Sequence, residues 1–456
     1  MIRRCLLVLS SCALALVAQP SPDLDARLTA AIQAAVIESG APSVSVAVVV
    51  DGKLAYAKAV GYASLSPRRA ADADTRYAVG SISKQFTAAA LLLLQEEGRL
   101  SLDDKVAKYF PELTRAGDIS LRQLLSHTSG YEDYAPQDYI IPEWLKPVTP
   151  RQILDGWARK PLNFEPGSQW QYSNTNYVLA ASIFEKVSGQ PLMAFLREKI
   201  FAPLGMLSAG PMANASPADA RAYTRYALGP PRPAKREAQG WYFGAGELSM
   251  TPSDLARWDI AFLQKKILSA HSYEEFTREV RLSGGGATRY ALGLMLREAA
   301  GAPAITHGGE VSGFLASNTV IPSRNGAVIV VSNQDCVSVV SPLSQRIITL
   351  VFGPPAPAAN KTIAEVQAIL EGLQQGRIDR SLFTANANSY FGKLALRDSK
   401  ASLGRLGALI SVTAGGENLR GGMTYRSYRA QFEKKTLNVS VYMTSAGKYE
   451  QLLLTE

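Results

Sequence analysis

The apolar positions of this chain change period several times, and the changes mark its elements. Leu24, Leu28, Ile32 and Val36 recur every four residues and predict a helix over 25–39 that Gly40 ends. Two apolar runs follow, 44–50 and 53–60. Asp51-Gly52 joins them, which is the signature of a β-hairpin. Phe86, Ala89, Ala90, Leu93 and Leu94 then recur at i, i+3, i+4, i+7 and i+8, so a central helix runs to Gly98. Further helices are predicted over 119–130, 176–187 and 192–201. Another starts at Thr251-Pro252, with Thr as N-cap and Pro as the first helical residue. From 290 the period shortens. Residues 290–296, 304–306, 315–321 and 327–331 are short apolar runs separated by Gly, Asn, Pro and Ser, and read as strands of one meander. Residues 342–352 are helical again. The expected fold is α+β, with helices packed on an antiparallel sheet. Residues 131–150, rich in Tyr, Asp, Pro and Trp without periodicity, read as a long surface loop rimming a cleft.

The Pro- and Ala-rich stretch 353–361 reads as a linker. It separates a domain at 22–352 from a small α+β domain at 362–456. There, helices over 362–373 and 382–406 precede a three-strand meander at 423–432, 437–443 and 448–454. Residues 1–18 have the form of an export signal: Arg3-Arg4, an apolar run from Cys5 to Val17, then Ala18. This predicts a periplasmic or secreted protein. The long apolar run after Leu9-Ser-Ser-Cys12 disfavours a lipoprotein anchor, and no later segment approaches a transmembrane span. Of three cysteines only Cys336 lies beyond the signal, so no internal disulfide forms after cleavage. Cys336 follows an apolar run and is expected as a buried small hydrophobe. Hydrophobic residues make up 47% of the 456 and charged residues 19%, an ordinary globular composition. The net charge of +9 is scattered, without a basic run, which argues against a nucleic-acid partner.

The candidate chemistry starts at the central helix. Ser81 falls where that helix begins, over unpaired N–H groups and the positive end of the helix dipole. Lys84, three residues on, shares a face with the Ser81 hydroxyl, which is the layout of an activated nucleophile. A Ser-x-x-Lys pair is also what an N-cap and a solvated helix lysine look like, and Ser445-Ala-Gly-Lys448 fits the same pattern in a predicted hairpin turn. Two further pieces corroborate Ser81. Tyr172-Ser-Asn174 follows a turn and precedes a helix. His307-Gly-Gly309 ends an apolar strand.

In the order Ser-x-x-Lys, Tyr-x-Asn, His-x-Gly, the three pieces resemble the motifs of penicillin-recognising serine hydrolases. More narrowly, they resemble the class C β-lactamase-like group with its D-alanyl-D-alanine carboxypeptidases, D-amino-acid peptidases and family VIII esterases. The phrases Leu124-Leu-Ser-His-Thr-Ser-Gly130 and His307-Gly-Gly-Glu-Val-Ser-Gly-Phe314 belong to the same likeness, which covers roughly residues 25–352. It implies a β-lactamase/transpeptidase-like fold and an acyl-enzyme on Ser81. Lys84 and Tyr172 would share the work of taking the serine proton, the Lys84 ammonium helping a tyrosinate form. Asn174 would bind substrate and hold Lys84. His307 would be the basic residue of the third motif, with Gly309 beside it. The N–H groups of Ser81 and Glu310 would form the oxyanion hole. His127 would be structural.

The third motif departs from the usual Lys-Thr-Gly, and Glu310 stands where Ser or Thr is common. A carboxylate there opposes an anionic substrate, which favours ester or peptide hydrolysis over β-lactamase or D-alanyl-D-alanine carboxypeptidase action. An inactive protein that binds wall or peptide ligands is the reading from another class. No cofactor and no metal are expected, the chain holding only His127, His271 and His307. The expected partner is a small-molecule or peptide substrate, with the cell wall as a candidate contact.

Overall fold

A computed structural model describes residues 22–137, 139–353, 360–420, 423–444 and 446–455. The export-signal expectation, most of the linker, and Ser445 of the second Ser-x-x-Lys lie outside them. The chain divides into two compact units after Gly353.

The first unit is built on a seven-stranded antiparallel sheet. Its strands are β1 (Ser43–Val50), β2 (Lys53–Leu65), β3 (Arg68–Ala70), β4 (Met295–Ala299), β5 (Ala302–Val311), β6 (Phe314–Ile321) and β7 (Gly326–Ser332), in the order β3-β2-β1-β7-β6-β5-β4. The early hairpin and the late meander are thus one sheet, joined where Val46 pairs with Val330. β1 reads as a continuous apolar run because both of its faces are covered. Ala47 and Val49 enter the core that holds the central helix, while Val44, Val46 and Val48 face Leu28, Ile32 and Ile347 on the other side.

The central helix, Ser83–Glu96, is buried nearly all round rather than along one stripe: Ala88, Leu91 and Leu92 are as enclosed as Phe86 and Leu94. A helix buried on every side belongs to the middle of a large core. Phe86 packs on Trp258, with ring centroids 4.3 Å apart, and the Trp258 indole N–H donates to Gln85 Oε1 at 2.8 Å. Thr251 caps its helix as expected, its side chain accepting from Asp254 N–H.

Several expectations are corrected. The helix predicted over 119–130 stops at Leu125. His127 then takes the left-handed conformation (φ 60°), and the buried run 126–129 bonds to neighbouring segments instead. The strand predicted at 290–296 runs Met295–Ala299, displaced by the turn at Gly293. Residues 131–150 are not merely surface, because Tyr131, Tyr134 and Trp144 are core residues. Cys336 is exposed, lying past the end of β7 with φ 51°.

The second unit has its own core, with Val366, Leu370, Phe383, Tyr428, Val439 and Tyr449 at its centre. Its sheet has four strands, not three: Leu409–Arg420 pairs with Met423–Phe432. Gly415-Gly416 hid this strand in the sequence. In the structure they sit at a register shift between Ala414 and Glu417.

Because each unit encloses its own apolar cluster, a chain ending at Gly353 is expected to stay soluble and to melt cooperatively by circular dichroism. Aggregation or a broad, non-cooperative melt would show that the second unit completes the first.

Candidate active site

Ser81 lies in the tight turn Gly80–Ile82 just ahead of the central helix. Two glycines let strand β5 approach it. Gly80 has φ 51°, and a Cβ there would stand 2.6 Å from the Glu310 nitrogen. A Cβ on Gly309 would stand 1.9 Å from the Val79 carbonyl oxygen. Neither position admits a larger residue without moving the strand, so the backbone of Glu310 runs directly beside Ser81.

Lys84 is fully buried. Its Nζ lies 2.9 Å from Ser81 Oγ, 2.8 Å from Asn174 Oδ1 and 2.7 Å from the Ala245 carbonyl oxygen. Burial pushes its ammonium down to about 7, and the carboxylate of Asp133 offsets part of that. Near neutrality a large share of Lys84 is therefore the free amine. That amine donates its two N–H groups to Asn174 and Ala245, which leaves the lone pair for Ser81 Oγ.

Burial raises the Tyr172 phenol well above the ordinary value, an effect that the Ser81 hydroxyl only partly offsets. This corrects the expectation of a tyrosinate stabilised by a lysine cation. Desolvation works the other way on each group, so the lysine loses its charge near neutrality and the tyrosine keeps its proton. The Tyr172 ring centroid lies 4.9 Å from Lys84 Nζ.

Asn174 is the first residue of the helix Asn174–Ser188, two residues earlier than its periodicity suggests. Its backbone N–H donates to Asp133 Oδ1 at 2.9 Å, and its side-chain Nδ2 reaches both carboxylate oxygens at 3.2 and 3.3 Å. Both ends of the amide are thus committed, one to Lys84 and one to Asp133. Asp133 is only 9% exposed. Burial raises its pKa, and the N–H groups of Asn174 and Ala135 with Lys84 oppose the rise. Sequence reading missed Asp133, which lies in the stretch taken for a surface loop. The available signal was a carboxylate between two tyrosines that pack inward.

His307 and Gly309 are also corrected. β5 continues through both glycines to Val311, so His307 is mid-strand. Its ring is 2% exposed and does not line the pocket that contains Ser81. Nε2 meets the Tyr290 hydroxyl at 3.0 Å, and Nδ1 meets the Gly308 carbonyl at 2.6 Å. Burial, with Lys84 nearby, pushes its pKa down to about 4, so it carries no charge at neutral pH. It backs Tyr172 and Tyr290 instead of binding an anion. Gly309 serves the close backbone approach. His127 is buried against the Tyr172 ring, centroids 4.2 Å apart, with Nδ1 accepting from the Ser173 N–H at 3.2 Å. Burial holds it neutral as well.

Ser81, Tyr172, Asn174 and Glu310 open onto one pocket of about 450 Å³. Asp133, Glu237 and Asp335 line it too, and among the described residues no Lys or Arg does.

The Beta-lactamase family model matches residues 28–339. The chain belongs to the Beta-lactamase family. Its first unit has the β-lactamase/transpeptidase-like fold. It is 31% identical over 274 residues to Penicillin-binding protein 4* of Bacillus subtilis, covering 54% of this chain and 58% of that one. It is 32% identical over 284 residues to a D-aminopeptidase of Brucella anthropi, covering 60% and 52%. The chain thus spans little more than half the length of these curated relatives. The crystal structure of a D-stereospecific amidohydrolase from Streptomyces sp. superposes with a TM-score of 0.62 at 29% identity, covering 72% of this chain and 98% of that one.

In this Beta-lactamase-family site, protonated Lys84 has no lone pair. Hydrolysis of a p-nitrophenyl ester should therefore rise with pH through about 7 and level off above it. Asp133→Asn removes a charge that raises the Lys84 pKa, so the midpoint should move to lower pH. Lys84→Arg, always charged, should lose about 10²–10⁴-fold in rate. A profile of kcat/KM against pH checks all three. A flat profile in the wild type would remove Lys84 from the proton path.

Proposed function

We propose that this chain hydrolyses amides or esters through an acyl-enzyme on Ser81, with neutral Lys84 as the general base. The observation that carries the reading is Lys84 Nζ at 2.9 Å from Ser81 Oγ, with its ammonium pushed down to about 7. Lys84 takes the hydroxyl proton as Ser81 Oγ bonds to the substrate carbonyl carbon. The N–H groups of Ser81 and Glu310 face the oxygen that becomes negative. Tyr172, still protonated, gives its proton to the leaving nitrogen or oxygen as that bond breaks, and Lys84 returns a proton to Tyr172. Water then attacks the Ser81 ester along the same path in reverse.

Substrates without a carboxylate beside the reacting bond suit this pocket. Among the described residues its side chains offer four carboxylates and no cation, so a β-lactam or a C-terminal D-alanine peptide finds repulsion where it needs a partner. The D-aminopeptidase and D-stereospecific amidohydrolase relatives support amide hydrolysis. Export belongs to the same proposal, on the strength of Arg3-Arg4 and the apolar run to Val17.

A fluorophosphonate probe should label the protein, and peptide mass spectrometry should place the adduct on Ser81. Ser81→Ala should abolish labelling while leaving the circular dichroism spectrum intact. An adduct on Ser129 or elsewhere would overturn the assignment. An unlabelled protein would favour a ligand-binding role.

A further inference from the structure

The first unit carries an exposed hairpin that acylation does not use. Residues 221–236 contain five Arg or Lys and no Asp or Glu. The segment folds back on itself, with Tyr223 paired to Pro233 and Thr224 to Arg232. Arg221, Arg232 and Lys235 are exposed, and among the described residues none of them forms an ion pair. At the tip, Tyr226 is 77% exposed and Leu228 91%. The Gly229 N–H donates to the Tyr226 carbonyl at 3.0 Å, so the tip is a closed turn that holds both side chains outward.

Single exposed apolar residues are ordinary on a protein surface. These two are held in place and have company. The Tyr223 hydroxyl accepts from the Leu65 N–H at 2.7 Å, which seats the base of the hairpin on β2. Arg225 Nη1 donates to the Ser39 carbonyl at 3.1 Å, and its Nε donates to the Cys336 carbonyl at 3.0 Å. Arg225 thereby ties the hairpin to the end of the helix Pro22–Ser39, where Ile37 is 80% exposed. That helix end adds one carboxylate, Glu38, against the cations of the hairpin. Apolar side chains flanked by Arg and Lys form an amphipathic, cationic surface.

A hydrated polyanion would use the cations but leave Tyr226, Leu228 and Ile37 in water. A tip this exposed inserts into a soft phase more readily than it fits a rigid one. An anionic lipid surface meets both demands, because tyrosine and leucine sit well at the headgroup boundary and cations pair with the headgroups.

We propose that residues 221–236, with Ile37, form a docking surface for an anionic lipid bilayer. Tyr226 and Leu228 enter the headgroup boundary, and Arg221, Arg232 and Lys235 face anionic headgroups. The hairpin is rooted in the rim of the Ser81 pocket. Its second strand leads to Glu237 in the pocket wall, and the Gly313 turn packs so closely on Ala222 that a Cβ on Gly313 would stand 2.4 Å from the Ala222 Cβ. Docking therefore holds the pocket mouth near the lipid. The assignment does not depend on the chemistry of Ser81.

The test uses the full chain and co-sedimentation with two kinds of vesicle, phosphatidylcholine alone and phosphatidylcholine mixed with phosphatidylglycerol. The wild type should bind the anionic vesicles about tenfold or more tightly than the neutral ones, and high salt should weaken that binding. Arg232→Gln with Lys235→Gln should weaken it about tenfold or more at low salt. Tyr226→Ser with Leu228→Ser should weaken it at low and high salt alike. All four side chains are exposed, so the circular dichroism spectrum should not change. Equal binding by the wild type and both double variants would place lipid contact elsewhere, as in the apolar run 5–17, and overturn the proposal. So would failure to bind either vesicle. Binding to soluble heparin as tight as to anionic vesicles, and unchanged in Tyr226→Ser with Leu228→Ser, would overturn it in favour of a polyanionic polymer.

Discussion

The desolvation of one lysine organises this site. Lys84 sits one residue into a helix that is enclosed on nearly every side, and among the described residues its Nζ has only Ser81, Asn174 and Ala245 as hydrogen-bond partners. A free lysine titrates near 10.4, and moving that value to about 7 needs water removed and nearby negative charge kept small. The apolar bulk of the first unit supplies the first condition. The second explains the geometry of Asp133, which reaches Lys84 through the Asn174 amide instead of pairing with it directly. A direct ion pair would have returned the ammonium to its charged form and removed the base.

The same burial sets the other titrating groups around Ser81. Tyr172 is driven toward the neutral phenol, and His127 and His307 toward neutral imidazole. All three are thus uncharged at neutral pH. These neighbours of the nucleophile thus carry little net charge, and the charges of the pocket are the carboxylates of Asp133, Glu237, Glu310 and Asp335. Such an environment favours proton transfer between neighbours over the capture of an anion.

This division also separates what the sequence reveals from what it conceals. The Ser81–Lys84 spacing is legible because a helix converts three residues into one face, and the Tyr172–Asn174 pair because it sits at a helix start. Charge state is not legible in this way. It depends on what covers a residue, and the cover on His307 comes from Tyr290 and Tyr172, distant in sequence. Asp133 is hidden for the same reason, since its partner Asn174 comes from another element. The strand Leu409–Arg420 is concealed differently. Two glycines at a register shift suppress the alternation that would mark it. In β5 the glycines stopped the predicted strand at Thr306, whereas the chain uses Gly309 to bring the strand against Val79.

The pocket finally shows why net charge is a poor guide to a partner. The chain carries +9, yet among the described residues the charged side chains lining the Ser81 pocket are all carboxylates. Screening at physiological salt acts over about 8 Å, so scattered surface lysines and arginines contribute little inside a cleft walled by low-dielectric side chains. What a substrate experiences on entry is the local set: Asp133 behind Asn174, Glu310 on the strand, and Glu237 and Asp335 on the turn. These residues act in different ways. Asp133 is satisfied by backbone and amide donors and tunes Lys84. Glu310 lends its backbone to the wall beside Ser81. Glu237 and Asp335 each fix the Ser312-Gly313 turn through one oxygen, and the other is buried without a donor among the described residues. Acidity here is therefore several devices, each fixed by what its second oxygen touches.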